Sequence, residues 1–224
     1  MRRLFQGKTL VEQNLSIFQA INSMESVKIN GGTRAGLGKA LTKVDRKGDA
    51  IPCNLYGGNT NVQFTTTWNE VRHLIYTADF KLADITVDEK DYSAIVKDVQ
   101  FHPVSEKILH IDFLMLTPGT LIKVSLPLRL IGQSPGVKAG GKLLQSMRKI
   151  KVKVLPENLV DHVTLEISKL DLGQSARVRD IIPTDGVEIT MSPSIPVVSV
   201  EIPRALRAAA AAEAKAAQAP KKKN

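Results

Sequence analysis

"AIPCNLYGGNTNVQFTTT", residues 50–67, is the stretch on which the fold turns. An apolar run closes on Gly57-Gly58-Asn59 and a second β-type run, "VQFTTT", follows at once. Two such runs around a glycine-asparagine turn predict a hairpin. Cys53, directly after Pro52 in the first run, reads as a small core residue. Outward from the hairpin the same grammar repeats. Upstream, "ESVKIN" (25–30) alternates and ends at Gly31-Gly32. Downstream, "LADITVD" (82–88), a turn at "EKD" and "YSAIVKDVQF" (92–101) predict a second hairpin, and "ILHIDFLML" (108–116) a further strand. Between the hairpins, Thr66 or Thr67 can N-cap a helix over "WNEVRHLIYTA", with Val71, Leu74, Ile75 and Ala78 on one face.

Leu116-Thr117-Pro118-Gly119 punctuates two β-rich stretches and marks a boundary. Beyond it, "TLIKVSLPLRLIG", "KIKVKVLP", "HVTLEIS", "VEITM" and "VVSVEI" read as short strands between Pro, Gly and Asp turns. "SKLDLGQSARVRDI" lacks the periodicity of a helix. From Arg204 the chain becomes Ala-rich and ends in lysines, which predicts a frayed helix and a basic, flexible tail. The first 23 residues are basic and poor in acids, as in a transit-like peptide, an extension or an upstream start, so Met24 is taken to open the folded part. The expectation is a mainly β chain with four parts: an extension (1–23), a β-rich domain with short helices (24–116), a second β-rich domain (117–203) and a tail (204–224).

Aromatics make up only 4% of the 224 residues, so the core rests on Val, Ile and Leu. A single cysteine excludes an internal disulfide framework and a four-cysteine zinc site. No apolar run approaches the roughly 20 residues that span a bilayer, so no membrane partner is expected. The net charge of +9 is unevenly spread. Residues 204–224 carry six Lys/Arg against one acid, whereas residues 24–116 carry 11 against 12. On that near-neutral body Arg34, Lys39, Lys43, Arg46 and Lys47 fall together with only Asp45 among them. A local cluster on a neutral domain points to a directed anionic partner.

The cluster lies in "GGTRAGLGKALTKVDRKG", residues 31–48, where Gly38-Lys39 looks like a phosphate loop. The P-loop pattern needs glycine where Thr33 stands and Ser or Thr where Ala40 stands. The dinucleotide pattern needs a third glycine where Leu41 stands. The segment also precedes the obvious hydrophobic strand. A nucleotide, and any small-molecule substrate, is therefore not expected. Helical spacing instead sets Lys39, Lys43 and Lys47 on one side with Arg46 beside them. Leu37, Leu41 and Val44 could face the body, and Gly36 and Gly38 would let the loop approach a polyanion backbone. A solvated charged face remains the alternative.

His110 and Asp112 share one strand face, as do Gln100 and His102 on the strand before. Such pairs could serve acid/base chemistry, half a metal site, a platform for base and ribose edges, or a solvent-facing strand side. A metal needs further ligands. The remaining histidines, His73 and His162, fall on the helix and in the second unit. No serine or cysteine stands in a nucleophile context, and no cofactor motif is found. Tyr56, at a strand end, could stack on a base or cover a rim; Trp68 reads as packing.

"TRAGLGKALTKVDRKGDAIPCNLYGG", "VKDVQFHPVSEKILHIDFLML" and "PLRLIGQSPGVKAGGKLLQSMRKIKVKVLPENL" together resemble bacterial large-subunit ribosomal protein twenty-five. The resemblance is to the long two-domain form called general stress protein CTC, and it spans about residues 24–202. It implies an N-terminal β-barrel that binds 5S ribosomal RNA in the large subunit, a second β-rich domain, a cytoplasmic ribosomal location and no enzymatic activity. By motif, Arg34, Gly38, Lys39, Lys43, Arg46 and Lys47 would meet the RNA backbone, while Tyr56, Gln100, His102, His110 and Asp112 would form the RNA-facing surface. Neighbouring ribosomal proteins are further partners. Family members often carry more arginines in the basic stretch, where Val44 and Asp45 stand here; Asp45 is expected to point away. Two competing readings are a stress or assembly factor working through its second domain and, more remotely, a nucleotide-binding enzyme.

Overall fold

The computed structural model describes residues 24–204 except 35, 37 and 59. The expected extension, the tail beyond Arg204 and the position of Leu37 lie outside the described residues. Within them the chain is mainly β, and its first part closes into a six-stranded barrel.

The strands are β1 (Ser26–Thr33), β2 (Ala50–Gly57), β3 (Thr60–Thr67), β4 (Leu82–Val87), β5 (Lys90–Phe101) and β6 (Ile108–Met115). Around the barrel they run β1-β3-β2-β6-β5-β4 and back to β1. The opening hairpin is β2/β3, antiparallel from Ala50↔Thr67 to Gly57↔Thr60. Its turn depends on Gly57, whose φ of 142° is open to glycine and where a Cβ would lie 3.1 Å from the Met115 carbonyl oxygen. Ile51, Cys53 and Leu55 alternate into the core while Asn54 and Tyr56 face out. Pro52 is tolerated because β2 pairs with β6 only from Cys53 to Tyr56, so no ladder bond to β6 is asked of it.

Closure comes from β1. It runs parallel to β4 from Ser26↔Leu82 to Gly31↔Val87, then meets β3 at Gly32↔Thr65 and Thr33↔Phe64. The Gly31-Gly32 pair, expected to end the strand, is instead its crossing point. A Cβ on Gly31 would sit 2.6 Å from both Phe64 and Val87, so only glycine admits the close approach. Phe64 and Phe113, both fully buried, meet in the interior with ring centroids 5.8 Å apart.

Two helices attach to the barrel: α1 (Lys39–Lys47) and α2 (Trp68–Ile75). Val71 and Leu74 of α2 join the core as expected, whereas Ala78 lies past the helix end and is exposed. Thr67 takes the N-cap position without a side-chain bond, and the neighbouring Thr66 hydroxyl donates to Glu70 at 2.6 Å. α1 departs from expectation more sharply. Leu41 is 46% and Val44 65% exposed, so neither of these apolar side chains anchors the helix in the core. Polar ties described below hold it instead.

After the link at 117–121 come two further sheets. Strands β7 (Ile122–Ile131), β9 (Lys149–Val154), β10 (Val163–Glu166) and β12 (Val187–Ile189) form one, ordered β10-β7-β9-β12. Strands β8 (Lys142–Gln145), β11 (Ser175–Arg177) and β13 (Pro196–Glu201) form the other, ordered β11-β13-β8. The "KIKVKV" alternation of β9 buries Ile150, Val152 and Val154. A one-turn helix, α3 (Pro135–Lys138), opens at Ser134, whose hydroxyl caps Val137 N–H and donates to the Leu170 carbonyl. By proximity, residues 24–126 group with 152–161 and 185–188, and residues 127–151, 162–184 and 189–204 form a second compact unit.

Candidate nucleic-acid interface

The outer face of β2, β6 and β5 gathers four of the residues singled out from sequence. Cα register places Asn54 beside Asp112 and Asp112 beside Asp98, Tyr56 beside Leu114, and His110 beside Gln100. Because side chains alternate, Asn54, Tyr56, His110 and Asp112 share the side of the sheet away from the core. His110 Nδ1 lies 3.2 Å from Asp112 Oδ1, and both side chains keep over a quarter of their surface open. That contact orients the imidazole.

Two register shifts in β5 shape this face. One, between Val96 and Asp98, resets the alternation so that Asp98 stands opposite Asp112. The other, between Gln100 and Phe101, leaves Leu109 without a ladder partner. Its carbonyl accepts from Arg46 Nε at 3.2 Å and Nη2 at 3.1 Å. A guanidinium held by a neutral carbonyl keeps its full charge, so Arg46 docks α1 against the sheet and still presents a cation.

His102 does not join Gln100. β5 ends at Phe101, and the imidazole turns into the following loop, where Nδ1 accepts from the backbone N–H of Val104 and Ser105 at 3.3 and 3.2 Å. His102 N–H also donates to Lys107 O and its carbonyl accepts from Glu106 N–H. The i, i+2 rule failed because the strand stops between the two residues.

Arg34 and Asp45 pair with each other. Arg34 is 9% exposed, and its Nη2 donates to Thr42 Oγ1 at 3.0 Å and Asp45 Oδ2 at 3.1 Å. Asp45 therefore points back at the loop and neutralises Arg34. A nearly buried charge is tolerable only when paired, which explains a carboxylate inside an otherwise cationic helix. Lys43 is exposed on α1; the side chains of Lys39 and Lys47 lie outside the described residues. Gly38 is the N-cap with φ 129°, and the first turn of α1 carries no acid. The loop does follow a strand, since β1 extends to Thr33, so the case against a nucleotide loop rests on glycine spacing and on Ala40 in the Ser/Thr place.

Burial first, then the carboxylates of Asp112 and Asp98, push the Tyr56 hydroxyl above its usual range. Tyr56, protonated in neutral solution like any ordinary tyrosine, is a hydrogen-bond donor there. Burial, with a further push from Asp112 against a pull from Arg34, drives the Cys53 thiol upward. With 1% exposure Cys53 is a core residue and no nucleophile. Among the described residues no group of three His, Cys, Asp or Glu side chains could hold a metal, and no helix is long and apolar enough to cross a membrane.

Sequence reading missed Asn54 and Asp98. Asn54 Oδ1 is buried without a partner among the described residues, an acceptor held beside Asp112. Strand alternation from Tyr56 could have found Asn54; the bulge hid Asp98. Trp68, expected to pack, is 46% exposed.

Two family models match the chain: the Ribosomal L25p family over residues 29–113, and Ribosomal protein TL5, C-terminal domain, over residues 121–204. Large ribosomal subunit protein bL25 of Cytophaga hutchinsonii is 40% identical over 192 residues, covering 86% of this chain and 100% of the relative. The protein of the same name in Bacteroides thetaiotaomicron is 38% identical over 198 residues, with 86% and 100% covered. That of Porphyromonas gingivalis is 39% identical over 189 residues, with 84% and 98% covered.

Proposed function

Since the chain belongs to the ribosomal L25p family, we propose that it is a non-enzymatic constituent of the large ribosomal subunit, at work in the cytoplasm, that grips 5S ribosomal RNA with its barrel. One observation carries the reading: a face of short polar side chains, Asn54, Tyr56, Gln100, His110 and Asp112, is flanked by the cationic helix α1.

RNA duplexes offer proteins a wide, shallow minor groove lined with 2′-hydroxyls and base edges. A sheet face matches that surface because its side chains stand in a shallow array of mixed donors and acceptors. Tyr56 O–H donates, and Asp112 accepts from a hydroxyl or a guanine amino group while it orients His110. Lys39, Lys43, Arg46 and Lys47 neutralise the adjoining phosphates, and the acid-free N-terminus of α1 adds its positive end. Arg34 serves as the internal brace that fixes the loop to α1. His102 acts on the RNA indirectly, by shaping the loop between β5 and β6.

Co-sedimentation tests the ribosomal part. The full chain mixed with large subunits stripped of this protein is expected to pellet with them at one copy per subunit. A chain left in the supernatant at micromolar concentration would overturn the assignment.

A further inference from the structure

In a protein with 10 aromatic residues, three stand exposed together. Trp68, Tyr76 and Phe101 are 46%, 56% and 45% exposed; Tyr76 lies between the other two with ring centroids 6.4 and 6.5 Å away. The Arg72 guanidinium sits 5.8 Å from the Trp68 ring centre. Trp68 and Tyr76 wall a groove of about 720 Å³ that also takes in Arg46, Asp49, Asn69 and Lys107. From this cluster, and resting on the RNA reading above, we infer that the groove receives an unpaired base of the bound RNA, stacked on Trp68 and Tyr76.

Continuity with the cationic helix argues for that occupant. Arg46 belongs both to α1 and to the groove wall, and its guanidinium is fixed there by the Leu109 carbonyl. A nucleotide whose phosphate meets Arg46 therefore has its base within reach of the aromatic wall. The lining suits a base as well. Its charges balance, with Arg46 and Lys107 against Asp49 and Glu106, so the interior favours a neutral heterocycle over a second phosphate. Asn69 and the two carboxylates offer the hydrogen-bonding edge that a base requires. Unpaired bases splayed from RNA stack on aromatic rings in this way, whatever their identity.

The rim is built with unusual backbone. Four described non-glycine residues have positive φ. Asp88 and Glu89 turn the β4/β5 hairpin, whereas Asp49 (φ 58°) and Glu106 (φ 55°) both line the groove. Lys107 spans it to Asp49 at 3.4 Å. Such conformations cost free energy and persist where the surroundings hold them.

Trp68 is the chain's one tryptophan, so its emission reports on the groove directly. Titrating the full chain with 5S RNA is expected to quench that emission in step with binding followed by filter retention. Trp68→Ala is expected to bind RNA roughly five- to hundredfold more weakly, with an unchanged salt slope because stacking releases no counterions. Trp68→Phe should recover most of the loss. RNA binding that saturates with unchanged emission, or an alanine variant that binds RNA normally, would overturn the inference and leave the RNA reading intact. If that variant also loses subunit association, the groove takes a protein segment instead. Failure of the wild-type chain to bind 5S RNA would remove both.

Discussion

Changing Lys39, Lys43 and Arg46 together to alanine is expected to weaken 5S RNA binding by roughly 250-fold at ~0.1 M salt and to flatten its salt dependence. Each phosphate contact contributes roughly 0.7–0.9 to the slope of log affinity against log salt. Arg34 already has its counter-ion in Asp45, so four cations on α1 remain for phosphates and the wild-type slope should be about −3. Removing three of them should leave a slope near −1. The same arithmetic gives the affinity loss, since three contacts at ~0.8 each amount to about 2.4 logarithmic units between 1 M and 0.1 M salt. Arg46 has a second role, as its two bonds to Leu109 O dock α1 on the sheet. Filter binding across a salt series measures both quantities. A slope unchanged from wild type would show that α1 does not meet the phosphates.

Phe64→Ala is expected to remove about 3–5 kcal/mol of stability. Phe64 is fully buried on β3, pairs with Cys53 across the opening hairpin and with Thr33 of the closing strand, and packs on Phe113. Truncation leaves a cavity at the seam where Gly31 already approaches as closely as a backbone can. Small domains have about 5–15 kcal/mol in hand, so the loss should bring the barrel near unfolding at body temperature. Phe101→Ala provides the control, because a phenylalanine 45% exposed should cost less than about 1 kcal/mol. Chemical denaturation followed by circular dichroism separates the two. Equal, small losses would mean that the barrel is not closed around Phe64.

Much of the barrel is legible in the sequence. The β2/β3 hairpin, the alternation of β6 and the core face of α2 all follow from local period and turn chemistry, and the structure has them. Closure was not legible from the residues, because a Gly-Gly pair looks the same whether it ends a strand or carries it across a phenylalanine 33 positions away. The candidate site divides along the same line. His110 and Asp112 were placed on one face by strand alternation, Tyr56 was singled out only as an aromatic at a strand end, and Gln100 stands beside His110. Alternation failed for His102, where β5 stops, and for Asp98, where it bulges. Side-chain pairing across a loop is hidden from any one-dimensional pattern. Hence the pairing of Arg34 with Asp45 was not foreseen. The exposure of Leu41, Val44 and Trp68 was hidden for a related reason: apolar character states what a residue tolerates, not whether anything arrives to cover it.

The central claim is that the polar sheet face and its cationic helix recognise one particular RNA. Equilibrium titration of the full chain against purified 5S ribosomal RNA, beside a structured control RNA of equal length and at ~0.15 M salt, tests it most directly. Saturation at one protein per 5S RNA is expected, with at least about a thousandfold preference over the control, the lower end of the range between specific and non-specific binding. Equal affinity for both RNAs would reduce α1 to a general polyanion surface, and no saturable binding to either would contradict the account outright.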